Sequence, residues 1–72
     1  MDADTLNRHL ENGGTVVVST YLRATCYRKR HAGMFSTGRD GNLYVQHGRG
    51  KNCLSMNSGR QLLVAIRMDG GR

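Results

Sequence analysis

Helical spacing of hydrophobic residues marks the start of the chain, where Leu6 and Leu10 lie four residues apart. That spacing places both leucines on one face of a helix. We predict a helix over residues 4–12, with Asp2 or Asp4 as its N-cap. A helix this short is unstable alone, so its apolar face must pack against the rest of the chain.

From residue 15 onward the pattern changes to the two-residue period of β-strands. Residues 15–27 are rich in β-branched and aromatic types, but the run exceeds the usual strand length. We therefore expect a bend or break between Thr20 and Arg23. Shorter strands are predicted over residues 34–36, 43–47, 53–56 and 61–68, with a turn at 57–60. The pair Asp40-Gly41 favours a tight hairpin.

These elements predict an α+β fold that is mostly β. A short N-terminal helix is followed by a small, strongly bent antiparallel sheet or a partly open barrel of four to five strands. A chain of 72 residues predicts a single small basic domain, with its β body over about 15–68 and a frayed tail over 69–72. The predicted core is Leu6, Leu10, Val16, Val18, Leu22, Val45, Leu54, Leu62, Val64 and Ile66.

Charge is distributed unevenly along the chain. The net charge is +6 and the isoelectric point is about 10.2. Residues 1–12 contribute −2 and residues 13–72 contribute +8 to that sum. A basic body favours a polyanionic partner, most often nucleic acid, so binding to DNA or RNA is the predicted function. Only five acidic residues are present, which argues against hydrolysis by paired carboxylates.

Tyrosines and cations alternate in the same β-type run. If residues 15–29 form one strand, Tyr21, Arg23, Tyr27 and Lys29 project from one face, and Tyr44 joins them from a neighbouring strand. Aromatic rings stack on bases, and Arg and Lys neutralise phosphates. The pattern therefore predicts a sheet face that binds nucleic acid, although a solvated outer face would have the same alternation.

Two further basic segments extend this prediction. Arg28-Lys29-Arg30 is a run of like charges suited to phosphate contact, and 48–52 is a glycine-rich basic loop. The loop departs from the Walker A pattern because Asn52 follows Lys51, where Ser or Thr is required. The predicted nucleic-acid-binding residues are Tyr21, Arg23, Tyr27, Arg28, Lys29, Arg30, Tyr44, Arg49 and Lys51.

The two cysteines, Cys26 and Cys53, are expected to be small buried residues of a protein from the reducing cytoplasm. With His31 and His47 they form the spacing C-x4-H-x15-H-x5-C, which tetrahedral zinc can use but which matches no common zinc finger. We therefore predict no metal and no cofactor. The N-terminus lacks a hydrophobic signal region and no apolar run is long enough to span a bilayer, so no membrane partner is expected.

Two other functions remain open. A small basic domain that gains burial by forming a homo-oligomer is also typical of accessory proteins, including viral ones, that dock on an acidic protein and modulate it. The order of helix, strand and His-bearing basic segment over roughly residues 4–47 resembles the HicA-type messenger-RNA-cleaving toxins. The residues themselves allow a metal-free ribonuclease, in which His31 or His47, near Arg28, Arg49 and Lys51, acts as the base. The closing helix of that family has no counterpart here, because residues 61–68 are predicted as a strand.

Overall fold

The structure, a computed structural model, describes residues 2–54 and 63–70. Within that part the chain forms one helix, α1 (Ala3–Glu11), and a short 3-10 turn, η1 (Lys29–His31). The strands are β1 (Gly14–Thr20), β2 (Ala24–Tyr27), β3 (Phe35–Thr37), β4 (Leu43–His47), β5 (Gly50–Cys53) and β6 (Leu63–Gly70). No helix among the described residues is long and apolar enough to cross a membrane.

The predicted N-terminal helix is confirmed, and Asp2 is its N-cap. Asp2 Oδ1 accepts a hydrogen bond from the Thr5 backbone N–H at 2.8 Å. Hydrogen bonding to Thr5 holds the pKa of Asp2 below its usual value, because these bonds favour the ionised carboxylate. Leu6 and Leu10 are fully buried, as their shared helical face predicts.

The strands form two antiparallel sheets of three, in the orders β2-β1-β6 and β3-β4-β5. The fold is therefore α+β and mostly β, as predicted. The prediction of one bent sheet or partly open barrel with four to five strands is wrong in detail, because six strands are described and they divide between two sheets. The long run over residues 15–27 accounts for much of the difference, since it supplies two strands of the first sheet.

The predicted break between Thr20 and Arg23 is a complete reversal of the chain. The Thr20 N–H donates to the Arg23 carbonyl at 2.9 Å, and Thr20 Oγ1 accepts from the N–H groups of Leu22 and Arg23, both at 3.2 Å. This tight turn places Leu22 at the tip of a hairpin, where 75% of its surface is exposed. The prediction that Leu22 belongs to the core is therefore wrong.

One hydrophobic cluster joins the helix to both sheets. Its buried members are Ala3, Leu6, Leu10, Val16, Val18, Tyr27, Phe35, Val45 and Leu54, and Ile66 packs against them half-buried. Six predicted core residues are among them, whereas Tyr27 and Phe35 were not expected. The predictions for the side chains of Leu62 and Val64 and for the turn at 57–60 lie outside the described residues. Cys26 is exposed and Cys53 is half-buried, so the prediction of two buried cysteines is wrong.

Pairing between strands shifts two predicted boundaries. β5 begins at Gly50, inside the predicted loop, because Gly50 to Cys53 pair with β4. β6 continues to Gly70, because Asp69 and Gly70 of the predicted frayed tail pair with the first two residues of β1. The Asp40-Gly41 turn is confirmed between β3 and β4, and Gly41 adopts the left-handed φ of 81° that the turn requires.

Side chains of the helix fasten α1 to both sheets. Asn7 Nδ2 donates to the Phe35 carbonyl at 2.9 Å, and Asn7 Oδ1 accepts from the N–H groups of Gly33 at 2.9 Å and Phe35 at 3.2 Å. His9 Nε2 lies 2.9 Å from the Asp69 carbonyl oxygen on β6. The helix also packs on β1, β3 and η1, and it covers one end of the core.

Candidate nucleic-acid interface

On β1, β2, β4 and β5, the side chains that face the space between the sheets are apolar near the core. Two residues further along each strand, toward the same end of the molecule, they are polar. The changes are Val18 to Thr20 on β1, Tyr27 to Thr25 on β2, Val45 to His47 on β4, and Leu54 to Asn52 at the end of β5. The apolar members are buried, whereas the polar members are half-buried or exposed. The polar ends therefore form a distinct surface, two residues along each strand from buried members of the core.

This surface is a groove of about 190 Å³ between the two sheets. Four buried side chains form its apolar floor: Val18, Tyr27, Val45 and Leu54. Its rim carries Thr20, Leu22, Arg23, Thr25, His47 and Asn52. Among the described residues, no acidic side chain lines the groove. An apolar floor under a rim that carries polar groups, Leu22 and the guanidinium group of Arg23 suits a ligand with a flat apolar face and a negative charge.

The tip of the β1–β2 hairpin borders this groove. Tyr21 and Leu22 are each 75% exposed, and Arg23 is exposed beside them. The tip is held in place by the three hydrogen bonds of Thr20 described above, so these side chains project from a defined turn. Leu22 and Arg23 also line the groove, which places a leucine side chain and a guanidinium group at its rim, next in sequence to Tyr21.

Tyr27 does not lie on an exposed face. It is only 9% exposed, and its ring packs edge-on against Phe35 at a centroid distance of 5.2 Å and against His31 at 5.4 Å. Burial raises the pKa of its phenol. The prediction that Tyr21, Arg23, Tyr27 and Lys29 share one exposed face is wrong, because the chain reverses between Tyr21 and Tyr27.

The basic run after β2 lies outside both sheets. Arg28 precedes η1, which contains Lys29 and Arg30, and all three side chains are exposed. His31 Nδ1 accepts a hydrogen bond from the Arg28 N–H at 2.9 Å, so this ring nitrogen is unprotonated in the hydrogen-bonded turn. The run therefore projects from a turn that uses His31 as a structural acceptor.

Tyr44 and Lys51 lie on the outer face of the second sheet. Tyr44 pairs with Cys53, and Lys51, two residues before Cys53, projects from the same face. Tyr44 Oη donates to Asp40 Oδ2 at 2.6 Å. This bond raises the pKa of Tyr44 to about 12 and, with the bonds from Asn42, lowers the pKa of Asp40. Tyr44 is therefore separate from the groove, and its hydroxyl group is already engaged.

The cations are exposed and unneutralised over most of the described chain. Residues 13–54 contain seven Lys and Arg and a single acidic residue, Asp40. All seven side chains are exposed. Among the described residues, one ion pair is found, between Arg67 and Asp69 at 2.8 Å. It involves none of these seven cations. Three of the five acidic residues lie on or beside α1, so the opposite signs are segregated.

Four polar rim residues of the groove were missing from the site predicted from the sequence. Thr25, His47 and Asn52 each occupy an inward position in a strand pair, and Thr20 lines the groove just after an irregularity in β1. Inward positions are normally apolar. A polar residue at such a position is the signal that could have identified them. Recognising it requires the correct strand pairing, because the reversal at Tyr21 decides which positions on β2 face inward.

In the described ranges, 2–54 and 63–70, no three or more His, Cys, Asp or Glu side chains form a cluster able to hold a metal ion. Cys26 lies opposite Val17 on the outer face of the first sheet, whereas His47 lines the groove. The cysteine and histidine pattern of the sequence therefore spans separate surfaces.

Comparison of the chain with protein-family models gave no match, and neither did searches of curated proteins and of solved structures.

Proposed function

We propose that this protein binds nucleic acid, DNA or RNA, through the groove and through the exposed cations of the described chain. The groove itself is the observation that carries the proposal, because it combines an apolar floor, hydrogen-bonding rim groups and Arg23 without an acidic residue among its described lining. The protein has two free cysteines, Cys26 and Cys53, and we infer from them a location in the reducing cytoplasm.

The proposed contacts divide by chemistry. Phosphates are bound by exposed cations: Arg23 at the groove, Arg28, Lys29 and Arg30 at η1, and Arg49 and Lys51 at the β4–β5 hairpin. Their contribution comes from release of condensed counterions and is independent of base sequence. Tyr21 is the exposed ring available for stacking, and Tyr27 supports the groove from beneath. Tyr44 lies on the separate outer face that it shares with Lys51, where it lies beside that cation and away from the groove.

A fluorescence anisotropy titration tests this function. Labelled single-stranded DNA, single-stranded RNA and duplex DNA are titrated with the protein at about 50 mM and about 200 mM salt. We expect micromolar or tighter binding that weakens steeply with salt, since each phosphate contact adds about 0.7 to 0.9 to the slope of log K against log salt concentration. Absence of binding to all three at the lower salt concentration would contradict the proposal.

Docking on an acidic protein is the second candidate, because two adjacent large apolar side chains, Tyr21 and Leu22, are each 75% exposed. Tyr and Arg dominate the energetics of protein interfaces, and both occur at this tip. Selective capture of one acidic protein, lost in Tyr21→Ala and Leu22→Ala and only weakly sensitive to salt, would favour this candidate over nucleic acid. Homo-oligomer formation through the same tip would appear as a concentration-dependent mass.

A metal-free ribonuclease is the lesser candidate. It needs a histidine near bound phosphate, and His47 lines the groove together with Arg23. RNA cleavage that is lost in His47→Ala while RNA binding is retained would establish this activity.

A further inference from the structure

We propose that the groove receives a single unstacked nucleobase of a single-stranded nucleic acid, an inference that rests on the proposed function. The proposal assigns the groove a role different from that of the surrounding cations. The cations attract any polyanion, whereas the groove distinguishes a strand that carries accessible bases from a bare sugar-phosphate chain.

The size of the groove favours one planar group over a larger ligand. Its volume of about 190 Å³ is below the roughly 300–1,000 Å³ of pockets that enclose drug-sized ligands. A base paired within a duplex presents only its edges, and it must leave the helical stack before it can enter a cavity. Bases of a single strand are already free to turn outward and need no such disruption.

The two walls of the groove offer hydrogen-bonding groups from opposite sheets. Thr25 lies opposite Val18 in the first sheet, and Asn52 lies opposite Val45 in the second. Both side chains line the same groove. A threonine hydroxyl and an asparagine amide each donate and accept, so together they match the mixed donors and acceptors on the edge of a base.

Charge and polarity fit the rest of the nucleotide. Arg23 at the rim supplies a guanidinium group for the phosphate adjoining the bound base. Buried Val18, Val45 and Leu54 supply an apolar floor for the face of the base. A ligand of this shape and charge pattern is a nucleotide with its base turned inward.

The test fills the groove and leaves the cations in place. Thr25→Trp puts a large side chain into the groove, whereas Cys26→Trp adds a tryptophan at the next residue, which is exposed on the outer face. Each protein is titrated with a labelled oligothymidylate of about 15 nucleotides, within the site sizes of small single-strand-binding domains. A strand of equal length built entirely of abasic deoxyribose phosphates serves as the second probe.

We expect the native protein and Cys26→Trp to bind oligothymidylate about 5- to 150-fold more tightly than the abasic strand, the range expected for one stacked base. Thr25→Trp should lose the part of this preference that the groove supplies and keep only the part that stacking on Tyr21 supplies, while its affinity for the abasic strand stays native. Equal binding of both strands by the native protein, with a steep salt dependence, would overturn the base site and leave the proposed function standing. Failure to bind either strand at low salt would overturn both.

A second variant keeps the test decisive if Thr25→Trp does not fold. Asn52→Ala removes a half-buried side chain from the opposite wall and adds no bulk. We expect it to reduce the differences in affinity among homopolymers of thymine, cytosine and adenine, while its affinity for the abasic strand stays native. An unchanged order and spread of those affinities in Asn52→Ala would count against the base site.

Discussion

The two ends of the space between the sheets differ in how they are covered. At one end, α1 places Leu6 and Leu10 against the core, and the Asn7 amide fastens the helix to the segment that begins β3. At the other end, the inward positions of the strands carry Thr25 and Asn52, and they line a groove. The same alternation of strand residues thus produces a hydrophobic core at one end and a candidate binding surface at the other.

This difference separates the residues that stabilise the fold from those available for function. The helix end carries three of the five acidic residues, whereas residues 13–54 carry seven cations against one carboxylate. Residues 13–54 therefore attract a polyanion, and Arg23 is the cation among them that lines the groove. Substitutions at the helix end should reduce stability, and substitutions at the groove end should alter binding.

The largest effect is expected from truncating a leucine at the helix end. Leu10→Ala leaves a cavity at a fully buried position and should lower the free energy of unfolding by about 2–5 kcal/mol. Leu22→Ala is the matched control at the hairpin tip, 75% exposed, and should change it by about 0.5 kcal/mol or less. Urea denaturation followed by circular dichroism measures both. Equal losses would mean that the tip is buried in solution, for example by self-association.

A smaller loss of stability is expected from the asparagine that fastens the helix. Asn7→Ala leaves the Phe35 carbonyl and the Gly33 N–H without their partner, at a cost of about 1–3 kcal/mol. Asn12→Ala, at an exposed residue just after α1, is the control and should be nearly neutral. Hydrogen exchange of the Phe35 amide should accelerate in the first variant only. Native exchange rates there would show that Asn7 does not secure β3.

Replacing one arginine at each end tests which end of the molecule binds single-stranded DNA. Arg23→Ala at the groove should weaken binding to single-stranded DNA and reduce the slope of log K against log salt concentration by about 0.7, the share of one phosphate contact. Arg8→Ala, which removes the same charge from the exposed side of α1, should leave the slope almost unchanged. Identical slopes for the two variants would indicate that binding follows net charge and has no preferred surface.

The smallest effect concerns pH and the hydrogen bond between Tyr44 and Asp40. Because the folded protein lowers the pKa of Asp40, this bond contributes stability above the usual aspartate value of about 4, and the contribution is lost as the pH falls through the lowered value. Because the pKa of Tyr44 is raised to about 12, the contribution is complete below the usual phenol value of about 10 and is lost as the pH rises from there to about 12.

Comparison of unfolding midpoints across pH for the native protein and Tyr44→Phe tests this bond. The difference between the two should be largest between about pH 4 and 10 and should shrink at both extremes. A constant difference at every pH would show that the bond to Asp40 does not form in solution. Ser36→Ala, also on β3–β4 but without a bond to a carboxylate among the described contacts, is the control.

Local patterns in the sequence predicted the elements better than their arrangement. The spacing of Leu6 and Leu10 predicted the helix, and Asp40-Gly41 predicted the hairpin between β3 and β4. Each of these features depends only on residues close together in sequence. The reversal at Tyr21 depends on the hydrogen bonds of Thr20, and alternation alone does not distinguish a bend from a hairpin. Because the chain forms a hairpin there and not a bend, Tyr27 is buried in the core and Leu22 is exposed.

The candidate site was predicted only as far as single residues could indicate it. Exposed Arg23, Lys29, Arg49 and Lys51 follow from charge, because ionised side chains are rarely buried. The groove depends on which strands pair, because Thr25 and Asn52 come from different sheets. Because Thr25 and Asn52 are far apart in sequence, the sequence alone does not show that they line the same groove.

An amide-resolved NMR titration with oligothymidylate at low salt tests the central claim most directly. The account predicts that chemical-shift changes are largest at Arg23, Thr25 and Asn52, around the groove, and that Asn7 and Leu10 at the helix end are unaffected. Changes centred on the helix end, or no changes at any residue, would contradict it.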